Sequence, residues 1–446
     1  MSLFIKILQV ILSLSVLVSV HELGHFLFAR MFGIRVDKFF LFFDFGGFKL
    51  LSTKEGWFSR LFPRLKNLET EYGIGWMPVG GYCKINGMVD ESMDTEYLTT
   101  EPKPWEFRSH PAWQRVLVMS GGVLFNFITA VVIYCCMLGM YGQSYLSNEE
   151  NRIYVNELAY DMGFRNGDRI LRFDDYEPEN FGMLQAEMAR RQAHTAVVLR
   201  GTDTLTLYLD RSRISEVLNS MDMFSVAVPF IVDSIPPGTV NAASGITRGD
   251  RIIAIDGREV EFVQDSRPVL AEHAGGSVTA SVLRAGDTLS IPLRVDTTGR
   301  IGVFTMSVPG IRTREYNAIT AIPAGFRMTF SMISGYLKDL KMVATPSTGA
   351  YKSVGSFVAI GQAFPGVWNW SVFFQMLAML SVMLAIMNLL PIPALDGGHI
   401  VFTLYEIITG RKPGEKFLIG AQMVGMALLF ALMFLAFGND IGRLIK

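Results

Sequence analysis

The sequence is poor in charge and in cysteine, and both deficits narrow the class of protein. Only 18% of the 446 residues are charged, and the formal net charge is −1. This balance of charges gives no reason to expect a nucleic-acid partner. The three cysteines are a single Cys83 and the adjacent pair Cys135 and Cys136 within an apolar run, which indicates no disulfide framework.

Long hydrophobic runs are what the sequence has instead. Half of the residues are hydrophobic, a smaller share than expected for a chain made only of membrane spans. This composition predicts a membrane protein with a sizeable water-exposed part. Four stretches are apolar and long enough to cross about 30 Å of hydrocarbon: 3–32, 116–140, 371–390 and 417–437. A further apolar stretch, 318–343, contains four charged residues, so we interpret it as an amphipathic helix at the interface, with a fifth span as the alternative.

Basic residues near the span ends predict the orientation. Between Arg30 and Lys66 the sequence has eight Lys or Arg against three acidic residues, which places this loop on the cytoplasmic side. The loop between the last two spans also carries three basic residues. With four spans, both termini and the segment 141–370 then lie outside, although Arg443 and Lys446 run against this orientation.

The first apolar stretch contains the pentapeptide His21-Glu22-Leu23-Gly24-His25. Histidines four residues apart in a helix share a face, so both imidazoles can bind one zinc ion. Glu22 can then take a proton from a water molecule that the metal activates. The alternatives are two buried, hydrogen-bonded histidines or the end of a signal peptide; the apolar run continues through Phe28, which favours a retained helix.

A catalytic zinc site needs a third protein ligand and a fourth position for water. Asp396, at the cytoplasmic end of the third span, is the strongest candidate, because a carboxylate at membrane depth is costly and usually functional. Pro391, Pro393 and Gly397-Gly398 break the helix around it. His399 is the second candidate ligand, and a helix cap is the alternative role for Asp396.

The segment predicted to lie outside contains an internal repeat. Residues 166–174 recur as 248–256, each a turn leading into a strand, which predicts two domains of similar fold. The second copy adds Ala242-Ala243-Ser244-Gly245 before the turn and Gly257 after it, a pattern that resembles a PDZ domain; the first copy lacks both. PDZ domains take extended peptides by strand addition. The alternative is a pair of β-rich spacers that bind nothing.

These parts, in this order along nearly the whole chain, resemble the site-2 protease family of intramembrane zinc metalloproteases. The pentapeptide at 21–25 matches the family's zinc motif, and Asn388, Pro391 and Leu395-Asp396-Gly397 match its second motif. The resemblance implies that His21, His25 and Asp396 bind Zn²⁺ and that Glu22 is the general base. Asn388 would hold the substrate backbone or stabilise the oxyanion.

The segment 72–88 has the turn residues of a hairpin flanked by alternating apolar positions, and it resembles the family's membrane-inserted β-loop. A strand edge beside the zinc could pair with substrate unwound from its helix, whereas the alternative is an amphipathic hairpin at the lipid surface.

The second span departs from the family's Gly-Pro-x-x-Asn pattern, because Val123 stands in place of the Pro. The expected substrate-binding residues are Gly75, Trp76, Pro78, Gly80, Gly81, Tyr82, Asn126 and Pro391.

We therefore expect a multi-domain membrane protein with an α-helical transmembrane core of four spans, a membrane-associated β-hairpin loop and two tandem PDZ-like α+β domains. The expected boundaries are transmembrane helix 1 with the zinc motif at 1–32, a cytoplasmic-side loop with the β-hairpin at 33–112, transmembrane helix 2 at 113–142, PDZ-like domains at 145–225 and 226–305, a linker with an amphipathic helix at 306–369, transmembrane helix 3 at 370–392, a cytoplasmic-side loop at 393–416 and transmembrane helix 4 at 417–438.

The resemblance also implies the activity. It implies hydrolysis of a peptide bond within the transmembrane segment of single-span membrane proteins, such as an anti-sigma factor in a stress response or signal-peptide remnants. An upstream site-1-type protease would make a first extracytoplasmic cut, and the PDZ-like domains would exclude uncut substrates by size. The expected location is the bacterial cytoplasmic (inner) membrane. A metal transporter and a non-proteolytic PDZ scaffold are the alternative functions.

Overall fold

The computed structural model describes residues 2–78, 80–88, 101–220, 222–306, 308 and 310–445. The chain divides into two compact units. The first comprises 1–142, 315–341 and 352–446, and the second comprises 143–314 and 342–351. Part of the expected cytoplasmic-side loop, 89–100, lies outside the described residues.

Long apolar helices dominate the first unit. Among the described residues, four helices are long and apolar enough to cross a membrane: α1, α3, α10 and the part of α12 from Lys416 to Gly442. This agrees with the four spans that hydropathy predicts, and the fifth apolar stretch, α8, is not among them. The helices of this unit are α1 (Ser2–Met31), α2 (Gly56–Leu61), α3 (Ala112–Tyr141), α8 (Ala318–Val343, except its last two residues), α9 (Phe357–Ala363), α10 (Trp370–Leu389), α11 (Asp396–Thr409) and α12 (Glu415–Ile445).

Helix α3 lies at the centre of the helical unit, against α1, α10 and α11. Its face toward α10 contributes Ala130 and Tyr134 to a core that also contains Val382. Met328 and Met332 of α8 pack against the same core, while Phe326 and Phe330 on α8 stay exposed. Helix α12 is the most peripheral span, since only 11% of its apolar window is buried, compared with 39% for α3. The core of the unit therefore joins α1, α3 and α10.

A four-stranded sheet follows α1 in the first unit. Its strands are β1 (Val36–Leu41), β2 (Lys49–Ser52), β3 (Glu71–Gly75) and β4 (Tyr82–Ile85), and their order in the sheet is β2-β3-β1-β4. Strand β1 pairs in parallel with β3, through Phe39 and Tyr72, and antiparallel with β4, through Phe40 and Tyr82.

The hairpin predicted within 72–88 is therefore wrong, because β1 lies between β3 and β4 in the sheet. The glycines that suggested a turn serve close packing instead. A Cβ on Gly75 would strike the carbonyl group of Phe43, and a Cβ on Gly80 would lie 2.8 Å from the Phe43 ring.

The second unit is built mainly of short antiparallel strands. It contains β5 (Gln143–Leu146), β6 (Ile153–Val155), α4 (Glu157–Asp161), β7 (Arg169–Phe173), α5 (Leu184–Arg191), β8 (Thr195–Arg200), β9 (Asp203–Tyr208), α6 (Ile214–Asn219), β10 (Phe224–Val226), β11 (Val232–Ser234), β12 (Arg251–Ile255), β13 (Arg258–Glu259), α7 (Val263–Glu272), β14 (Ser277–Arg284), β15 (Asp287–Arg294), β16 (Phe304–Thr305) and β17 (Ile311–Arg314). Strands β5 and β17, at the two ends of the segment 143–314, pair with each other.

One order of elements occurs twice in this unit. The three-stranded sheet β7-β8-β9 of the first copy corresponds to β12-β14-β15 of the second, which also pairs with β13. A helix, α5 or α7, precedes the long hairpin in each copy, and a short pair of strands, β6 with β10 or β11 with β16, closes it. Each copy has its own hydrophobic core. The sequence repeat therefore corresponds to a structural repeat.

The aspartate of the repeated Gly-Asp pair, Asp168 in the first copy and Asp250 in the second, makes the same contacts in both copies. Arg200 donates from Nε and Nη2 to the two carboxylate oxygens of the buried Asp168, at 2.8 Å each. Arg284 holds Asp250 in the same way, at 2.7 Å each, and its guanidinium keeps the pKa of Asp250 below the usual range. A bidentate pair satisfies the carboxylate where burial removes its water.

Candidate metal centre

Helices α1 and α3 approach closely beside the His-Glu-Leu-Gly-His pentapeptide. A Cβ on Gly24 would collide with the carbonyl group of Gly121, and a Cβ on Gly121 would lie 2.7 Å from the carbonyl oxygen of Gly24. Small residues at a crossing let two membrane helices touch backbone to backbone. The crossing therefore holds the histidine face of α1 directly against α3.

Three potential ligand atoms converge next to this crossing. His21 Nε2 lies 3.1 Å from Asp396 Oδ2, His25 Nε2 lies 3.3 Å from the same oxygen, and the two Nε2 atoms are 3.2 Å apart. Both imidazoles are buried. Asp396 Oδ2 is also buried and has no partner with hydrogen-bond geometry among the described residues. Among the described residues, His21, His25 and Asp396 form the group that could hold a metal ion.

The spacing of the three atoms fits zinc. A tetrahedral zinc ion with bonds of about 2.0–2.1 Å separates its ligand atoms by about 3.3 Å. The observed separations are 3.1, 3.2 and 3.3 Å. Two imidazoles and one carboxylate form a three-ligand set that leaves the fourth position open, as catalytic zinc sites do.

Hydrogen bonds behind the imidazoles turn their Nε2 atoms toward this point. His25 Nδ1 lies 2.8 Å from the Val118 carbonyl oxygen, to which it donates, leaving Nε2 free to bind metal. His21 Nδ1 lies 3.1 Å from the side-chain amide of Asn126, whose Oδ1 is buried without a partner among the described residues. Turning that amide by 180° lets Oδ1 accept from the His21 Nδ1–H and satisfies both groups.

Asp396 reaches the centre through a sharp turn after the third span. Helix α10 ends at Leu389, and α11 begins at Asp396 itself. Between them Ala394 has a φ of 88°, in the left-handed region. A Cβ on Gly397 would strike the carbonyl oxygens of Leu389 and Leu390, so the turn packs tightly on the end of α10. This break places the carboxylate at the first position of a helix.

A cavity of about 760 Å³ opens onto the three residues. Glu22 lines it beside them and is partly exposed. Asn388 also lines it, and its Nδ2 lies 3.2 Å from His21 Nε2. Strand β4, from Tyr82 to Ile85, and Lys38 of β1 also line the cavity. The cavity is therefore lined by the three potential metal ligands, by Glu22 and Asn388, and by strand β4.

Comparison with known proteins identifies the family. The model of peptidase family M50 matches residues 9–432. The chain belongs to peptidase family M50. It is 28% identical over 465 residues to a protein of Xylella fastidiosa (strain 9a5c) that bears the name "Putative zinc metalloprotease", covering 98% of this chain and 99% of the relative. It is 26% identical over 470 residues to Protease RseP of Yersinia pestis, covering 100% of both chains. It is also 26% identical to Regulator of sigma-E protease RseP of Salmonella typhimurium (strain 14028s / SGSC 2262), over 97% of this chain and 98% of the relative.

Membership of family M50 makes this chain a membrane zinc metallopeptidase of the site-2 protease type. The expected enzyme class and the expected Zn²⁺ cofactor are thereby confirmed. The two imidazole nitrogens and the carboxylate oxygen of His21, His25 and Asp396, and the distances between them, suit Zn²⁺.

The structure brings together some of the predicted substrate-binding residues and separates others. Gly81 and Tyr82 line the cavity of this M50 chain. Pro78, Pro391, Gly75 and Gly80 are not among its described lining. Trp76 is 45% exposed and donates from Nε1 to the Phe45 carbonyl oxygen. Asn126 is fully buried behind His21 rather than in the cavity, and His399 lines the cavity without joining the three-ligand group.

Sequence reasoning gave Gly122 no role at the metal centre. A Cβ on this residue would lie 2.5 Å from His21 Cε1 and 2.6 Å from His25 Nε2, so the two imidazoles rest on its bare backbone. The pair Gly121-Gly122 within an apolar span was the available signal, since adjacent small residues in such a span mark a close helix crossing. Lys38 and Gln422 also line the cavity, and no local motif marks them.

Proposed function

We propose that this enzyme cleaves a peptide bond within the transmembrane segment of single-span membrane proteins. The observation that carries the proposal is the convergence of His21 and His25, from the first candidate span, with Asp396, from the turn after the third, onto one cavity. The proposed substrates are proteins already shortened outside the membrane by an upstream site-1-type protease, such as an anti-sigma factor in a stress response or a signal-peptide remnant.

His21, His25 and Asp396 hold the zinc in this proposal. When bound, the zinc supplies a Lewis acid that polarises the scissile carbonyl and activates water. Glu22 takes the proton from the attacking water and passes it to the leaving amine nitrogen as the C–N bond breaks. Asn388 donates from Nδ2 to the carbonyl oxygen as negative charge develops on it. The support is that both residues line the same cavity as the triad.

The substrate must be extended at the cut, because an intact helix keeps its carbonyl groups in internal hydrogen bonds. We place the unwound segment in the cavity alongside β4, with Gly81 and Tyr82 beside it. A segment lying along a strand can exchange backbone hydrogen bonds with it. The cavity, of about 760 Å³, is lined both by this strand and by the three potential metal ligands.

The two copies in the second unit act in this proposal as tandem PDZ-like domains. Their repeated strands and helices, each with a clamped buried aspartate, support one shared fold. The proposed location is the bacterial inner membrane, with these domains on the periplasmic side and the metal centre near the cytoplasmic side. The eight basic residues between 30 and 66 support that orientation. The domains then exclude substrates that still carry a large outer domain.

The decisive experiment separates metal binding from catalysis. Glu22→Gln removes the base but leaves the three ligands, so the purified variant should hold about one zinc per chain and lose cleavage of a single-span model substrate by at least about 100-fold. The matched control, Glu259→Gln on the exposed strand β13, should keep both properties. Wild-type cleavage by the Glu22 variant would refute the assignment of the base.

A further inference from the structure

The eight basic residues between 30 and 66 fall into two groups. Five are held by internal partners: Arg30 by Glu69, Arg35 by Asp37, Lys38 by Asp44, Lys49 by Glu55 and Glu71, and Lys54 by the carbonyl oxygen of Glu69. The other three, Arg60, Arg64 and Lys66, are exposed and have no ion pair or hydrogen bond with any described residue. The unpaired charge is therefore confined to one short stretch.

That stretch, 56–67, is α2 and the 3-10 turn that follows it, and we call it the α2 turn. Large apolar side chains stand between its cations. Trp57 is 62% exposed, Leu61 64% and Phe62 47%. The Trp57 Nε1–H donates to the Leu50 carbonyl oxygen, and Phe58 packs against both Trp57 and Phe62. The aromatic group is thus held in place while its outer surface stays uncovered.

Apolar exposure extends from the α2 turn onto the neighbouring segment before β2. Phe45 is 73% exposed and Phe48 is 67% exposed. Water is a poor environment for such a surface, and a large exposed apolar patch marks an interaction site. Aromatic rings interleaved with basic side chains are typical of segments that lie in the headgroup region of a bilayer. For an integral membrane protein, lipid is the partner that this composition fits.

We propose that the α2 turn binds the anionic headgroups of membrane phospholipids, with Trp57, Leu61 and Phe62 inserted between the lipids and Arg60, Arg64 and Lys66 contacting phosphate groups. Charge complementarity selects this partner, because the segment 56–67 carries three unpaired cations and no carboxylate, and the flanking Glu55 and Glu69 are paired with Lys49 and Arg30. A zwitterionic headgroup offers no net charge to the three cations.

The position of the α2 turn gives this contact a consequence for the metal centre. The turn connects β2 to β3, and Lys49 of β2 is paired with Glu71 of β3. Strand β3 pairs with β1, which carries Lys38 into the cavity wall. Headgroup binding by the turn therefore fixes the sheet that lines the cavity at a set depth in the leaflet.

The test uses the full-length enzyme in phosphatidylcholine vesicles that contain about 30 mole % of a bromine-labelled lipid. The label is carried either by phosphatidylglycerol, which is anionic, or by phosphatidylcholine, which is not. Bromine quenches nearby tryptophan fluorescence, and the difference between wild type and Trp57→Phe isolates the signal of Trp57. The measured quantity is the ratio of Trp57 quenching by the two labelled lipids.

We expect this ratio to be clearly above one in the wild type and to fall toward one in Arg60→Gln/Arg64→Gln/Lys66→Gln. Each single neutralisation should reduce the relative affinity for the anionic lipid by about fivefold. The charge-keeping control, Arg60→Lys/Arg64→Lys/Lys66→Arg, should retain the wild-type ratio. Zinc content equal to wild type shows that a variant is folded.

Two outcomes would overturn the proposal. A wild-type ratio of one would mean that the α2 turn does not select anionic lipid, and the cations would then be assigned to an acidic protein segment. An unchanged ratio in the triple glutamine variant would assign the lipid preference to other residues.

Discussion

Gly122 gives the sharpest test of the metal centre, because it contacts both histidines without being a ligand. In Gly122→Ala the new Cβ would begin 2.5 Å from His21 Cε1 and 2.6 Å from His25 Nε2, whereas ordinary contact starts at 3.4 Å. One or both imidazoles must therefore move by about 0.9 Å. Zinc–nitrogen bonds are about 2.0–2.1 Å long, so a displacement of this size breaks coordination. We expect zinc affinity to fall by at least about 100-fold, and cleavage with it.

Competition with a zinc chelator on the purified protein measures this affinity. Gly139→Ala on the same helix is the matched control, since its Cβ would meet only the Ala321 side chain at 3.6 Å. Alanine is also favoured over glycine inside a helix by about 1 kcal/mol. The control should therefore bind zinc normally and be at least as stable as the wild type. Unchanged zinc affinity in Gly122→Ala would refute the close approach of α3 to the two imidazoles.

Two further predictions follow from the contacts of α3 and from the repeat. Asn126→Ala should weaken zinc binding by about 10-fold, because the His21 Nδ1–H loses its acceptor. Asn126→Asp should keep more of the zinc affinity in the same chelator assay. An equal loss of affinity in both variants would contradict the hydrogen bond between Asn126 and His21. Leu146 and Ile311 face each other across the β5–β17 pair, so 147–310 can be replaced by an Asn-Gly turn that closes these strands into a hairpin. This deletion should allow cleavage of substrates that retain their outer domain, assayed in vesicles; continued resistance of such substrates would exclude the filter role.

Local patterns in the sequence predict the parts of this molecule that depend on local physics. A helix of about 20 apolar residues needs no tertiary partner to be recognised, and all four predicted spans correspond to such helices. The repeat is recognised because each Gly-Asp turn sits at the start of a strand, and Asp168 and Asp250 prove to be buried, paired carboxylates. Helical spacing also predicts that His21 and His25 share a face.

The sheet after α1 shows where local reasoning fails. The segment between β3 and β4 has turn residues, yet these strands do not pair, because β1 from 30 residues earlier lies between them. The pairing of β1 with β3 is parallel and depends on contacts distant in sequence. Glycine in a strand marks either a turn or a close approach, and sequence alone does not distinguish the two. At Gly73 and Gly75 the close approach of Phe40 and Phe43 is the reason.

Helix α3 supplies none of the three potential ligands, yet three positions on one of its faces shape the metal centre. Val118, Gly122 and Asn126 are spaced by four residues and match the spacing of His21 and His25 on α1. Val118 accepts from His25, Gly122 supports both rings and Asn126 contacts His21. A proline at 123 would remove a backbone hydrogen bond of α3 and bend the helix there. Val123 leaves α3 continuous from Ala112 to Tyr141, so in this chain the glycine pair, rather than a proline bend, brings α3 against the histidines.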